Sequence, residues 1–165
     1  MRLTHPEPPA VDLPPAFLAF HALHHPHYLA YAGAHLQPED AHAAVREAFG
    51  HVVAHWSAIV SHPNPTARAW EHFTRCIDAR TPPLPLNTNR TLEYQAVVLH
   101  LIAGCSIPVT ADTTGQHPSK IRYLLHAWNN RKARPQPFTQ HAEHPHEQLL
   151  EARSRAAALA WSDRT

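Results

Sequence analysis

The chain has 165 residues, 44% of them hydrophobic, and its 14 Lys and Arg residues nearly balance its 13 Asp and Glu residues. This length allows one domain or two small ones, and the small net charge excludes a global electrostatic field that attracts nucleic acid or acidic membranes. A membrane-spanning protein is also excluded, because no apolar run approaches the roughly 20 residues needed to cross a bilayer.

Four glycines, 17 prolines and many alanines at helical spacing, with few β-branched runs, predict an all-α fold. The two cysteines, Cys76 and Cys105, lack metal-ligand spacing, and the N-terminus does not have the form of a signal peptide. We therefore expect a cytoplasmic protein with reduced thiols.

The N-terminal part of the chain predicts a flexible arm and then two helical segments. Residues 1–15 are proline-rich and predict the arm. Apolar residues between Phe17 and Leu36 predict a helix that is interrupted near Pro26.

The segment QPEDAHAAVREAFGHVVAHWSAIV predicts a long amphipathic helix. Pro38 suits its first turn, and Glu39 and Asp40 are favourable acids there. The expected buried stripe consists of Ala41, Val45, Ala48, Phe49, Val52, Trp56, Ile59 and Val60.

A further helix is predicted to begin with Asn64 as N-cap and Pro65 at the first helical position. Its expected buried residues are Ala67, Trp70, Phe73 and Ile77. The proline-rich tract that follows, at residues 81–90, predicts a linker between two domains.

The second half of the chain predicts a helix and then a helix pair. The segment TLEYQAVVLHLIAG predicts a helix that ends at Gly104 and buries Leu92, Val98, Leu101 and Ile102. In SIPVTADTTGQHPSKIRYLLHAW, residues 106–128, the spacing of Ala111, Gly115 and Ile121 is typical of a helix-turn-helix.

Basic residues concentrate in and after this helix pair. From Ser106 to Arg134 the only acid is Asp112, whereas the basic residues are Lys120, Arg122, Arg131, Lys132 and Arg134. Residues 135–165 predict a second linker and a C-terminal helix from His146 to Trp161.

These segments follow one another as a helical module, a proline linker and a basic helix pair. This order resembles that of the sigma-70 family, and in particular of its small members, the extracytoplasmic-function-type sigma factors. FLAFHALHHPHYLAYA, DAHAAVREAFGHVVAHW and ARAWEHFTR resemble the module called region 2, and LEYQAVVLHLIAGCS with residues 106–128 resembles region 4. The resemblance implies a region 2-like module at 16–80 and a region 4-like module at 91–134.

The resemblance implies a transcription initiation factor that binds core RNA polymerase and directs it to promoter DNA, opening the minus-ten element with region 2 and reading the minus-thirty-five element with region 4. Asp40 and Glu47 correspond to acids that face polymerase, and Arg75 and Arg80 to a basic tail that follows DNA. The implied region 4 contacts to DNA are His117, Ser119, Lys120 and Arg122, with Arg131, Lys132 and Arg134 on phosphates. An anti-sigma protein is a further candidate partner.

Some residues depart from the family pattern and favour an alternative function. Ala43 stands where the family has an acid, Arg46 where it has a glutamine, and His117 where it has a better N-cap. Thr110 and Thr114 stand where buried aliphatics are usual. The alternative is a degenerate, sigma-derived regulatory or interaction protein that has lost promoter reading.

Other functions are weaker candidates. Asp40 and Glu39 have an alternative role that is purely structural, since negative charges in the first turn stabilise a helix through its dipole. His51 and His55 are one turn apart, and three more histidines cluster near the C-terminus, but no cysteine or carboxylate completes a ligand set, so we predict neither a metal site nor a cofactor. We predict no enzyme, because the sequence shows no nucleophile-base pair and no phosphate-binding glycine loop.

Overall fold

The structure, a computed structural model, describes residues 12–133 and 145–162. Regular structure in these two ranges is entirely helical, which confirms the predicted all-α class. Most of the predicted N-terminal arm, the start of the predicted second linker and Arg134 lie outside the described residues.

Eight α-helices and one π-helical turn follow one another along the described chain. They are α1 Pro15–His35, α2 Pro38–Ala54, α3 Trp56–Val60, α4 Pro65–Asp78, α5 Thr91–Val97 with the π turn Val98–Ile102, α6 Ile107–Thr114, α7 Pro118–Ala133 and α8 Pro145–Ser162.

The first helix is continuous, so the predicted interruption near Pro26 is wrong. Pro26 lies inside α1 at an exposed position. Proline has no N–H to donate, so one carbonyl of the preceding turn lacks its helical hydrogen bond and can bond to water instead. Phe17 before the proline and Tyr28 after it both belong to the core, and this packing holds the two halves in one helix.

The predicted long helix is divided at His55 into α2 and α3. The predicted stripe is buried from Ala41 to Val52, as is Ile59 in α3. His55 has non-helical φ and ψ of −115° and 21°, which interrupts the helical period of the stripe. Trp56 is only half-buried and Val60 is exposed, contrary to the prediction.

The helix that begins at α5 continues to Ile102 and stops just before Gly104, the residue predicted to end it. Gly104 has a positive φ of 75°, which favours glycine. Its last turn, at 98–102, is π-helical. A π turn holds more residues than an α turn and shifts the side chains that follow around the axis. Leu99 is consequently buried and Leu101 exposed, so the predicted burial of Leu101 is wrong.

One hydrophobic core joins the helices before and after residues 81–90. Tyr28 stacks on Phe73 with ring centroids 4.4 Å apart, and the same core contains Leu99 and Ile102. Residues 81–90 form no helix, as predicted, but two leucines of this tract pack against the core. The predicted division into two separate modules is therefore not confirmed.

A C-terminal helix was predicted without a partner, and the structure places α8 against α1. Ala152, Ala156 and Leu159 are the buried residues of α8. Gly33 of α1 allows the close approach, since a Cβ atom there would lie 2.3 Å from Cδ1 of Leu159. Among the described residues, no helix has the length and apolar character needed to cross a membrane.

Candidate nucleic-acid interface

Helices α6 and α7 form the predicted helix pair, joined by a short turn. Gly115 ends α6 in the left-handed conformation with φ of 65°, and the N–H of Gln116 donates to the carbonyl of Ala111 at 2.9 Å. Ala111 and Ile121 are fully buried and belong to a small cluster with Ala96 of α5. Three residues whose spacing predicted the pair thus hold the turn and its packing.

The N-terminus of α7 is capped by the histidine that precedes it. Nδ1 of His117 accepts a hydrogen bond from the backbone N–H of Ser119 at 3.3 Å and lies 2.8 Å from the Ser119 hydroxyl oxygen. His117 therefore serves as an N-cap in spite of its unusual residue type.

The first turns of α7 present a basic, exposed face. Ser119, Lys120 and Arg122 are exposed, and α7 contains no Asp or Glu. Nζ of Lys120 donates to Oε1 of Gln116 at 2.9 Å, which keeps the ammonium group beside the turn. This half of α7 can therefore offer cations and hydrogen-bond donors to an anionic partner.

Sequence reasoning missed two further residues on α7, Tyr123 and His126. The side chain of Tyr123 is 67% exposed, and His126 is exposed and hydrogen-bonded to Asn130 at 3.0 Å. They could have been recognised from their spacing, because Tyr123 and His126 follow Ser119 by four and seven residues and so lie near the same face of the helix.

The last turn of α7 differs from the first turns. Arg131 is ion-paired with Glu93 of α5 at 2.5 Å, and the Glu93 side chain is only 3% exposed. Burial raises the pKa of Glu93, but Arg131 and the Asn89 backbone N–H outweigh burial and hold the pKa below its usual value. Lys132 is exposed, with Nζ 5.0 Å from the centroid of the Trp128 ring. Of the two, Lys132 is the better placed for a phosphate.

The side of α6 that faces the rest of the molecule is lined by threonines. Thr110, Thr113 and Thr114 are all buried. The Thr114 hydroxyl donates to the Thr110 carbonyl at 2.8 Å, whereas the hydroxyls of Thr110 and Thr113 have no hydrogen-bond partner among the described residues. The sequence prediction that Thr110 and Thr114 take buried positions is confirmed.

Asn64 connects the helix pair to α4. Its Oδ1 accepts from the Ala67 N–H at 3.0 Å and caps α4 as predicted, while its Nδ2 donates to the carbonyl of Gly115 at 2.7 Å. Contact at the turn is close, because a Cβ atom at Gly115 would lie 2.5 Å from the Ala67 nitrogen. The amide of Asn64 thus holds the turn of the helix pair on the N-terminus of α4.

The two predicted polymerase-binding acids are exposed on α2. Asp40 lies in its first turn, where a negative charge interacts favourably with the helix dipole. Glu47 lies farther along and is ion-paired with Arg80 at 2.5 Å. One predicted DNA-binding arginine is therefore paired with one predicted polymerase-binding acid.

The other predicted arginine of this region, Arg75, is exposed on α4 and pairs with Glu71, which also pairs with Arg68 at 2.8 Å. Arg75 lines a shallow cleft between α4 and the helix pair, and Gln116 lines the same cleft. Glu71 and Asp78 line this cleft too, so its two carboxylates offset the guanidinium of Arg75 and the cleft is not a basic surface.

Histidines gather between α2 and α4 in a second cleft, which Arg68 also lines. The rings of His51 and His72 lie 4.1 Å apart there, and those of His51 and His55 lie 4.2 Å apart. Among the described residues, no group of three or more His, Cys, Asp or Glu side chains is arranged to hold a metal ion.

No family model matches the chain, and comparisons with curated proteins and with solved structures find no significant match. Evidence for a function therefore comes from the sequence motifs and from the geometry of the α6–α7 pair.

Proposed function

We propose that this protein binds duplex DNA through the N-terminal half of α7 and acts in transcription initiation as a sigma-type factor. The observation that carries the proposal is the exposed face of Ser119, Lys120 and Arg122 directly after a tight turn. A helix presented in this way fits the major groove. There arginine and lysine donate hydrogen bonds to guanine, and serine can form a hydrogen bond with more than one type of base.

The wider role rests on the resemblance to region 2 and region 4 of sigma factors. Core RNA polymerase is the proposed protein partner, with Asp40 at the exposed start of α2 as a candidate contact. Promoter DNA is the proposed nucleic acid, and the cytoplasm is the proposed location.

DNA binding is tested by fluorescence anisotropy with a pool of labelled promoter duplexes over a salt series. Replacing Arg122 by alanine should weaken binding to the preferred sequence by about 5-fold to 150-fold and reduce the preference for it over other sequences, because a base contact is lost. Replacing Lys132 by alanine should weaken binding to all sequences by the same factor. It should also reduce the slope of log affinity against log salt concentration by about one, as expected for a phosphate contact. A well-folded protein without any sequence preference would contradict DNA reading.

The second candidate is a sigma-derived interaction protein that binds polymerase or another partner without reading promoters. The ion pair between Glu47 and Arg80 favours it, because that pair engages one group proposed to bind polymerase and one proposed to bind DNA. Co-purification with core polymerase followed by run-off transcription distinguishes the candidates. Capture of polymerase without promoter-dependent transcripts would support the interaction protein, and Asp40→Lys should then reduce capture without loss of helicity.

A further inference from the structure

The cleft between α2 and α4, here called the histidine cleft, collects side chains that can carry positive charge. It has a volume of about 520 Å³. The ionisable residues that line it are His51, His55, His62, Arg68 and His72. None of the described residues that line it is an aspartate or a glutamate. Groups of one charge sign from the end of α2, the turn after α3 and the start of α4 thus converge in one place.

Helical spacing and packing bring three of the imidazole rings into contact. His51 and His55 are one turn apart at the C-terminal end of α2, and their ring centroids lie 4.2 Å apart. Helix α4 packs against α2 and brings His72 beside His51, with ring centroids 4.1 Å apart. Nδ1 of His55 donates to the carbonyl of His51 at 2.9 Å, which fixes the His55 ring. His51 therefore lies between two other imidazoles.

The surroundings of these rings oppose their protonation. Desolvation is the largest cause that lowers the pKa of His51 and of His72 below the usual 6.5, and the two rings also repel each other when charged. The other groups that act on them are His55, Arg68 and Arg75, which lower a pKa, and Glu71, which raises one. The described lining residues include none from α1, and α3 contains no ionisable residue. A negative charge placed between the rings would therefore favour their protonation.

Clustered imidazoles can bind transition metals or, once protonated, anions. A zinc site takes at least three protein ligands around one point, and within residues 12–133 and 145–162 no three His, Cys, Asp or Glu side chains are arranged in that way. An anion requires N–H donors and compensating positive charge. Arg68 supplies a guanidinium to the cleft, although Glu71 pairs with it at 2.8 Å. The geometry thus favours an anion, with the imidazoles supplying part of the charge.

We propose that the histidine cleft binds a phosphate group, as the free ion or as a small monoester, and takes up a proton on its imidazoles when the anion binds. The anion accepts hydrogen bonds from His51, His72 and Arg68. A cleft of about 520 Å³ has room for about 17 water molecules at roughly 30 Å³ each, and therefore for either form of the ligand. This site does not rest on the proposed DNA binding, because its lining residues all lie between His51 and His72, outside α7.

Sulfate is the first probe, because it has the tetrahedral shape of phosphate and stays a dianion between about pH 7.5 and pH 5.5. Binding to the full chain is followed by NMR through the imidazole resonances, against sodium chloride of equal ionic strength. We expect the affinity for sulfate to rise about 10-fold from about pH 7.5 to about pH 5.5, because proton uptake accompanies binding. Circular dichroism at each pH checks that the helices remain folded. An affinity independent of pH, or no response beyond that to chloride, would overturn the proposal.

Metal binding would show the opposite dependence on pH. Ni²⁺ binds unprotonated imidazole, so its affinity falls as the pH falls. Saturable binding of Ni²⁺ at these resonances without binding of sulfate would overturn the anion site.

Inorganic phosphate and glycerol 3-phosphate are then compared at about pH 6. Tighter binding of the first assigns the free ion as ligand, and equal or tighter binding of the second assigns the monoester. Failure of both to bind would overturn the proposal.

His51→Gln tests the location of the site, because it removes the central imidazole. This variant should bind sulfate about 5-fold more weakly at about pH 5.5 and should lose most of the pH dependence. His42→Gln, which replaces an exposed histidine of the same helix outside the cleft, is the matched control and should bind like the wild type. Equal effects of the two substitutions would overturn this location.

Glu71→Gln tests the contribution of Arg68. The substitution frees the guanidinium of Arg68 from its ion pair and removes a nearby negative charge. Sulfate should therefore bind about 3-fold to 10-fold more tightly, whereas Arg68→Gln should weaken binding by a similar factor. Unchanged or weaker binding of sulfate by Glu71→Gln, with unchanged helicity, would overturn the assignment of Arg68 to the site.

Discussion

Arg131 in the last turn of α7 and Glu93 in the first turn of α5 form an ion pair of 2.5 Å in which the carboxylate is almost completely buried. This pair connects the end of the proposed DNA-binding helix to the helix that supports it. Sequence reasoning placed Arg131 on a DNA phosphate, whereas the structure gives its guanidinium group an internal partner.

Replacing Arg131 by alanine should lower the free energy of unfolding by about 3 kcal/mol, because an unpaired buried carboxylate remains. Urea unfolding followed by circular dichroism measures the change. Arg122→Ala is the control, since Arg122 is exposed and should change stability by about 0.5 kcal/mol or less. Equal stability of the two variants would show that the ion pair contributes little.

A second prediction concerns His35, which joins α1, α5 and the 81–90 tract through neutral hydrogen bonds. Nδ1 of His35 lies 2.8 Å from the Tyr31 carbonyl and Nε2 lies 2.8 Å from the Tyr94 hydroxyl, whose oxygen accepts from the Leu84 N–H. The neutral ring donates to the carbonyl and accepts from the tyrosine. Burial is the main cause that lowers the pKa of His35 to about 4, from 6.5.

Because the folded protein resists protonation of His35, the unfolded chain binds more protons between pH 6.5 and about 4. Stability should therefore be complete above pH 6.5 and fall below it by about 1.4 kcal/mol for each pH unit and each such group. His24, whose pKa is also lowered to about 4 by burial, acts in the same direction. Urea midpoints from pH 8 to pH 5 should fall less steeply for His35→Gln than for the wild type, and parallel curves would contradict this assignment.

A third prediction compares two buried threonines of α6. The Thr110 hydroxyl has no hydrogen-bond partner among the described residues, whereas the Thr114 hydroxyl donates to a carbonyl. Thr110→Val should stabilise the protein by about 1 kcal/mol, because it removes an unsatisfied polar group and keeps the side-chain shape. Thr114→Val, which gives up an existing bond, should gain less. Thermal unfolding measures both variants, and a loss of stability in Thr110→Val would indicate that its hydroxyl binds an internal water.

Local signals in the sequence predicted much of the helical structure. The N-cap at Asn64, the proline at Pro65, and the glycines at Gly104 and Gly115 mark helix ends correctly. Each of these signals depends on the backbone geometry of a few neighbouring residues, so it can be recognised without the rest of the fold.

Interactions between distant residues could not be predicted in this way. Nδ2 of Asn64 and the carbonyl of Gly115 are 51 residues apart in sequence, and no local pattern indicates that the amide that caps α4 also holds the turn between α6 and α7. The partner of Arg131 is equally hidden, because a basic residue at a helix end is compatible with solvent, DNA or a buried acid. The π turn at 98–102 shifts the helical phase, which a constant period of 3.6 residues cannot represent.

The last prediction concerns the contact of α8 with α1 and uses two helical glycines. A Cβ atom at Gly33 would lie 2.3 Å from Cδ1 of Leu159 and 3.4 Å from Cα of Ala156, so Gly33→Ala requires Leu159 to move. A Cβ atom at Gly50 in α2 would meet nothing within 4 Å, so Gly50→Ala is the matched control. Alanine favours a helix interior over glycine by about 1 kcal/mol, and this gain should appear undiminished in Gly50→Ala.

Gly33→Ala should lose that gain, and about 1 to 3 kcal/mol more if the overpacked contact cannot relax. Hydrogen exchange should also be faster in α8 of this variant than in α8 of Gly50→Ala, because weaker packing on α1 lets α8 open more often. If Gly33→Ala were as stable as Gly50→Ala and exchanged no faster in α8, then α8 would not need the close approach to α1, and its buried face at Ala152, Ala156 and Leu159 would contribute little to the fold.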